Sequence, residues 1–247
     1  MTIIQKHPPY RFGSTDGLSR SQMDILAAHF SRPPAACPGR GLSGRTGVHR
    51  LELAPFGPVV IKHYFRGGLI RHFNRRTYLG VTGSRSRSEF ELLARLRKIG
   101  VNAPEPVAFA SRGRLLYQAW LITKQIPDVE PLAETCGTDP DRAGKAMMDL
   151  IPMINRLISH GIWHVDLHPG NVLVNKDAAV YLIDFDNAKT GQSCLNRIRD
   201  RYAARWRRAV QKYGLPAFVD EMMQAGLYSK KNSAGRDEAE PMNPKRN

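Results

Sequence analysis

The sequence predicts an α+β fold in two lobes: an antiparallel sheet with one helix, then a mostly helical half, with a cleft between them. Three observations predict it. The first half carries paired strand-like runs, "VHRLEL" and "PVVIKHYF". One strongly patterned helix, "SRSEFELLARLRKIG", separates them from further strand-like runs. The second half holds two long segments with apolar residues at helical spacing, around a single short hairpin.

The elements follow in chain order. Residues 1–38 read as an N-terminal extension in which "SQMDILAAHF" forms one short helix, and "SRPPAACPGRG" is a Pro/Gly linker that runs on into the next lobe. The N-lobe is expected over 39–126. There Leu51 and Leu53 alternate, "APFGP" turns, and Val59, Val60 and Ile61 form an apolar run. In the following helix Phe90, Leu93, Leu96 and Arg97 sit at helical spacing, with Ser88 as the cap and Gly100 as the stop. "NAPEPVAFA" and "RLLYQAWLITKQI" read as strands, and "PDVEPLAE" as a hinge. The C-lobe is expected over 127–228. Its first helix carries Met147, Leu150, Ile151, Ile154, Leu157 and Ile158, with Pro152 either kinking it or marking its start. "NVLVN" and "AVYLIDF" are strands around the turn "KDAA". "CLNRIRDRYAARWRRAVQKYG" is a helix with Leu195, Ile198, Tyr202, Trp206 and Val210 on one stripe and arginines elsewhere. The tail, 229–247, is polar, lacks periodicity and reads as disordered.

Composition narrows the function classes. No stretch approaches the ~20 apolar residues of a membrane span, and the first residues lack the apolar run of a secretory signal. A cytosolic protein is expected. Cys37, Cys136 and Cys194 fit neither a zinc pattern nor a disulfide framework. The formal net charge of +15 implies an anionic partner: nucleic acid, an acidic membrane face or a phosphorylated substrate.

The chemistry concentrates in "HVDLHPGN", residues 164–171, and in "YLIDFDNA", which begins at Tyr181. A carboxylate beside a buried strand is costly unless a cation or metal pairs with it. Transfer of a γ-phosphoryl group needs a base near the acceptor hydroxyl, cations on the phosphates and ligands for Mg²⁺. Mg²⁺ prefers hard oxygen ligands and retains waters, so one carboxylate and one amide oxygen suffice from the protein. Asn171 and Asp184 supply these, and Asp166 can face the acceptor hydroxyl. The spacing matches H-R-D-x-x-x-x-N followed by Asp-Phe-Gly, with Val165 in place of the Arg and Asp186 in place of the Gly. His164 and His168 are expected to hold the loop rather than react. Asp186 is left open between a polar anchor and a metal-side carboxylate.

The first half should then supply a lysine and a glutamate. "VVIK" ends a strand in Lys62, as V-A-I-K does in kinases. Read alone, a lysine at the end of an apolar run is more often a snorkelling surface lysine; the downstream motifs reverse that reading. Glu89 and Glu91 are the candidate partners, and Glu89 is favoured because it lies in the first turn, one position before the stripe begins. "GRGLSG" matches G-x-G-x-x-G, which would put Gly41 and Gly44 over the phosphates of ATP, with Gly47-Val48 as an alternative end of the loop and a plain flexible linker as the competing reading.

"HYFRGGLIRHF", "SRSEFELLARLRKIGVNAPEPVA" and "GIWHVDLHPGNVLVNKDAAVYLIDFDNA" resemble the lipopolysaccharide kinases, most closely the 3-deoxy-D-manno-octulosonic acid (Kdo) kinases, over roughly residues 39–213. The resemblance implies a protein-kinase-like fold and ATP-dependent phosphorylation of a Kdo hydroxyl on the lipid A-linked inner core. It implies Asp166 as catalytic aspartate, Asn171 and Asp184 as Mg²⁺ ligands and Lys62 as the ATP lysine. It also gives the charge a use. Arg66, Arg71, Arg75 and Arg76, and Arg197, Arg199, Arg201, Arg205, Arg207 and Arg208, could hold the enzyme on the cytoplasmic face of the inner membrane, each residue contributing on the order of 1 kcal/mol. Nucleic acid is then not expected as a partner. Kinases of aminoglycosides, choline or protein serines are the alternatives, and a nucleic-acid-binding scaffold on a decayed kinase fold is a third.

Overall fold

The computed structural model describes residues 2–31, 48–64, 78–79, 85–113 and 116–229. Its first half is an antiparallel sheet built from β1 (Ile3–His7), β2 (Tyr10–Ser14), β3 (Val48–Leu53), β4 (Gly57–His63), β5 (Tyr78–Leu79), β6 (Pro106–Arg112) and β7 (Leu116–Lys124). The strand order is β1-β2-β6-β7-β4-β3, with β5 paired to β7 off that path. Period-two alternation decides what each face of β4 meets. Val59 and Ile61 are buried in one cluster with Met23 and Leu26 of α1 (Arg20–Phe30). Lys62 points the opposite way, toward α2 (Arg85–Lys98), where its ammonium meets Glu89.

The strand pair Ile3–Ser14 was not expected from the sequence. β2 pairs with β6, so residues read as an extension contribute two strands to the same sheet, and α1 packs against it. A capping box starts α1: Ser19 Oγ accepts from the Gln22 backbone N–H, and the Gln22 side chain accepts from the Ser19 N–H. α2 begins at Arg85, so Ser88 lies inside the helix and is not its cap. The stripe holds as expected: Phe90, Leu93 and Leu96 are buried, and Gly100 takes φ +72° just beyond the last turn.

The second half contains β8 (Val129–Pro131), α3 (Leu132–Thr138), α4 (Pro140–Ser159), β9 (Val172–Asn175), β10 (Val180–Leu182), α5 (Leu195–Tyr213) and α6 (Ala217–Tyr228). The segment expected as a hinge forms β8, which pairs with β9, followed directly by α3. α4 runs through Pro152 and starts at Pro140, where Asp139 caps the Arg142 N–H. An interior proline costs about 3 kcal/mol. Burial of Met147, Leu150, Met153, Ile154, Leu157 and Ile158 along one face outweighs it. On α5, Ile198, Tyr202, Trp206 and Val210 are buried, whereas Leu195, at the first turn, is exposed. α6, also not expected, packs Val219, Met223 and Leu227 onto this core, and a Cβ at Gly226 would come within 2.3 Å of Ile151 Cγ2 on α4.

The helical half and the α2 face of the sheet share one core. Phe90, Leu93 and Leu96 join Leu121 and Phe109 in the same cluster as Leu150, Val172, Leu182 and Trp206. Two hydrogen bonds reinforce the join: the Leu182 backbone N–H donates to Asn102 O at 2.9 Å, and the Asn102 side-chain Nδ2 donates to Val180 O at 3.1 Å. α2 is therefore anchored to both halves, which sets the position of every residue it presents to the cleft.

Candidate active site

The cleft is built by three elements. From β4 comes Lys62, whose Nζ lies 3.0 Å from Glu89 Oε2 and 2.6 Å from Asp184 Oδ1. From α2 comes Glu89, which also accepts from the Tyr64 hydroxyl and, at 3.1 Å, from the Phe185 backbone N–H. Its neighbour candidate, Glu91, is exposed and pairs with Arg87 on the same helix. Glu89 rather than Glu91 meets the lysine because it falls on the buried side of α2, as Phe90 and Leu93 require. Tyr64, two residues beyond Lys62 and so on the same strand face, was not singled out in the sequence. That spacing is the signal that would have found it.

From the hairpin β9–β10 come the polar groups that flank it. Asn171 sits in a short 3-10 turn, Pro169–Asn171, directly before β9. Its Nδ2 donates to Asp166 O at 3.0 Å, which leaves its amide oxygen as the atom suited to a cation. Asp184 stands two residues after β10 with φ +66°, a left-handed conformation that aspartate tolerates better than most residues. Strained backbone of this kind concentrates at functional sites. Burial favours the neutral acid of Asp184, but the Lys62 ammonium outweighs it and holds the carboxyl below its ordinary range. For Lys62 itself burial is the largest single effect and opposes the charge. Glu89, Asp184 and Asp186 together overcome it and push the lysine well above its usual range. Both groups are thus ionised at neutral pH.

His164 holds the loop from beneath. It is fully buried, its N–H donates to the Tyr202 hydroxyl at 2.7 Å, and its Nε2 pairs with Ile183 O at 2.9 Å. The nearest wall is the Phe185 ring, 4.4 Å away between centroids. Burial lowers its proton affinity, so it is neutral and donates from Nε2. His168 caps its own turn, its Nδ1 accepting from Gly170 N–H at 3.0 Å, and burial and Arg205 lower its proton affinity. Asp186, left open by the sequence, is clasped by Arg85 of α2 at 2.6 Å, and its pKa is raised by burial despite that partner. Arg85 Nη2 also donates to Asn187 Oδ1 at 2.9 Å, and Asn187 Nδ2 donates to Asp166 Oδ2 at 3.1 Å. The other oxygen of Asp166 is 3.3 Å from Arg205 Nη2 on α5. Neither Arg85, Asn187 nor Arg205 was placed in the site from the sequence, because such contacts depend on how α2 and α5 pack.

No group of three or more His, Cys, Asp or Glu able to hold a metal occurs among the described residues. One carboxylate and one amide oxygen remain available, a donor set of the hard kind that Mg²⁺ takes when phosphates and waters complete its shell. Gly41 and Gly44 lie outside the described residues, as do Arg66, Arg71, Arg75 and Arg76. The arginines of α5 do not form one face. Arg205 turns to Asp166, Arg201 covers the Trp163 ring, Arg207 pairs with Asp220, and Arg197 and Arg208 are exposed.

A sheet lobe bearing a lysine–glutamate pair, set over a hairpin flanked by aspartate and asparagine, defines a two-lobed kinase-like fold. The comparison with protein families agrees. The lipopolysaccharide kinase (Kdo/WaaP) family model matches residues 41–220, and the chain belongs to that family of phosphotransferases. A 3-deoxy-D-manno-octulosonic acid kinase of Stenotrophomonas maltophilia (strain R551-3) is 34% identical over 177 residues, covering 68% of this chain and 67% of that protein. One from Photobacterium damsela subsp. piscicida is 32% identical over 194 residues, covering 75% and 78%. One from Vibrio vulnificus (strain CMCP6) is 33% identical over 129 residues, covering 51% and 54%. Use of ATP is what a kinase family implies.

Proposed function

We propose that the protein transfers the γ-phosphoryl group of ATP to a hydroxyl of Kdo on the lipid A-linked lipopolysaccharide inner core. The observation that carries this is the bridge from Lys62 to Glu89 and Asp184, which joins the sheet lobe to the catalytic hairpin. The names of the relatives supply the acceptor. In this reading Lys62 steadies the α- and β-phosphates, and Glu89 steadies Lys62. Asp166 accepts the proton of the acceptor hydroxyl as its oxygen bonds to the γ-phosphorus and the bond to ADP breaks. Asn171 and Asp184 would hold Mg²⁺, which when bound neutralises charge on the phosphates. Among the described residues no helix is long and apolar enough to cross a membrane. Contact with the cytoplasmic face of the inner membrane would instead be electrostatic, through basic residues such as Arg197 and Arg208.

The test is transfer from labelled ATP, with Mg²⁺, to Kdo-bearing lipid A precursor, run beside an aminoglycoside and a generic protein substrate. Label on the Kdo acceptor alone is the expected result. Label on the aminoglycoside or the protein instead would replace the acceptor assignment.

A further inference from the structure

We propose that Arg205 anchors the carboxylate of the acceptor sugar acid, and that it rests on Asp166 only while the acceptor is absent; the inference rests on the Kdo reading above. Three observations converge. First, the Arg205–Asp166 contact is weak: 3.3 Å, between two side chains each a little over one-third exposed. A pair this exposed contributes little to stability, so the fold does not depend on it. Second, the guanidinium is under-used. Its Nε is buried without a hydrogen-bond partner, and buried polar atoms are seldom left so. A guanidinium presents a fork that fits a carboxylate bidentately. Third, both oxygens of Asp166 are engaged, by Asn187 and by Arg205. An acceptor hydroxyl must take one of them to pass its proton, and the longer contact is the one to yield.

An acceptor that brings its own carboxylate resolves this conflict. It offers Arg205 a new partner and releases Asp166 for the hydroxyl in the same step. The location suits the acceptor rather than the nucleotide, because Arg205 comes from α5 while the phosphate-side lysine comes from β4. One turn earlier Arg201 stacks 4.2 Å from the Trp163 ring, with Lys189 Nζ 5.4 Å from the same ring. α5 thus presents two consecutive turns of cation to the entry of the catalytic loop. Arg205 is a positioning and specificity residue, and the proton still goes to Asp166.

The experiment compares wild type, Arg205→Gln and Arg205→Lys on two acceptors, Kdo-bearing lipid A precursor with its Kdo carboxylate free and the same precursor with that carboxylate converted to the neutral carboxamide, with melting curves for each variant. Wild type is expected to favour the carboxylate by at least about tenfold in kcat/KM, since a site built to bind a charged group rejects the analogue without it. Arg205→Gln should reduce that preference to within about twofold, chiefly through the acceptor KM, with the ATP KM unchanged; Arg205→Lys should fall between. A wild-type preference retained in Arg205→Gln, or no preference in wild type, overturns the proposal while leaving the Kdo assignment intact. Transfer by wild type to neither acceptor overturns the Kdo assignment, and the proposal with it.

Discussion

Asp166 is the side chain on which the proposed chemistry turns, and its surroundings predict how a variant behaves. Its carboxylate is partly exposed and held by two contacts, from the partly exposed Arg205 and the exposed Asn187. Asp166→Asn should therefore melt within a degree or two of wild type, as surface changes outside the core do. Turnover should fall by about 10²–10⁴, the usual worth of a positioned base. Wild-type-like turnover in a folded Asp166→Asn protein would remove it from the base role. His164 gives a second prediction at this scale, with a definite sign. Its folded-state pKa lies below the ordinary histidine value of 6.5 because burial opposes the cation. Its contribution is complete above that pH and is lost as pH falls from 6.5 toward the folded pKa, at up to about 1.4 kcal/mol per pH unit. His168 shifts the same way and adds to the slope. Melting temperature should decline below pH 6.5 in wild type and more gently in His164→Gln. Parallel profiles for the two proteins would show that His164 is not the titrating group.

At the scale of elements, α2 is the part that connects everything. One face buries Phe90 and Leu93 against the sheet, while Glu89 gathers Lys62, Tyr64 and the Phe185 N–H, and Arg85 reaches Asp186 and Asn187. A carboxylate accepting three such donors is poorly replaced by an amide, whose NH₂ must face one of them. Glu89→Gln should cost about 1–3 kcal/mol of stability, because Lys62 keeps Asp184 while one buried donor is left unsatisfied. It should also raise the KM for ATP, since Lys62 loses the partner that aims it. A denaturant midpoint and an ATP KM both equal to wild type would show that the Lys62–Glu89 pair does not organise the cleft.

On the scale of the whole molecule, the formal net charge of +15 is the dominant property. The structure spends part of it internally: Lys62, Arg85, Arg142 and Arg205 are each paired with a carboxylate at the cleft or between elements. What remains on the surface, Arg197 and Arg208 among it, should still draw the protein to anionic lipid. Sedimentation with vesicles containing acidic phospholipid should be strong at low ionic strength. It should be largely lost near 1 M salt, where the screening length falls to about 3 Å. Binding that is indifferent to salt would exclude the electrostatic reading.

Local patterns were enough, from sequence alone, for the two-lobed class, for the strands around Lys62, for α2, α4 and α5, and for the family. They were also enough to nominate Lys62, Glu89, Asp166, Asn171 and Asp184. Periodicity and short motifs are written in neighbouring residues, and a strand ending in lysine or a hairpin flanked by Asp and Asn needs no distant partner to be recognised. The tertiary structure alone decided that the first strand pair joins the main sheet, that Pro152 lies inside a helix, and that Asp186 belongs to Arg85. It also decided that Arg205, one arginine among six on α5, is the one that meets Asp166. Each of these depends on contacts between residues far apart in the chain, set by how buried faces pack together, and no local pattern encodes such a contact.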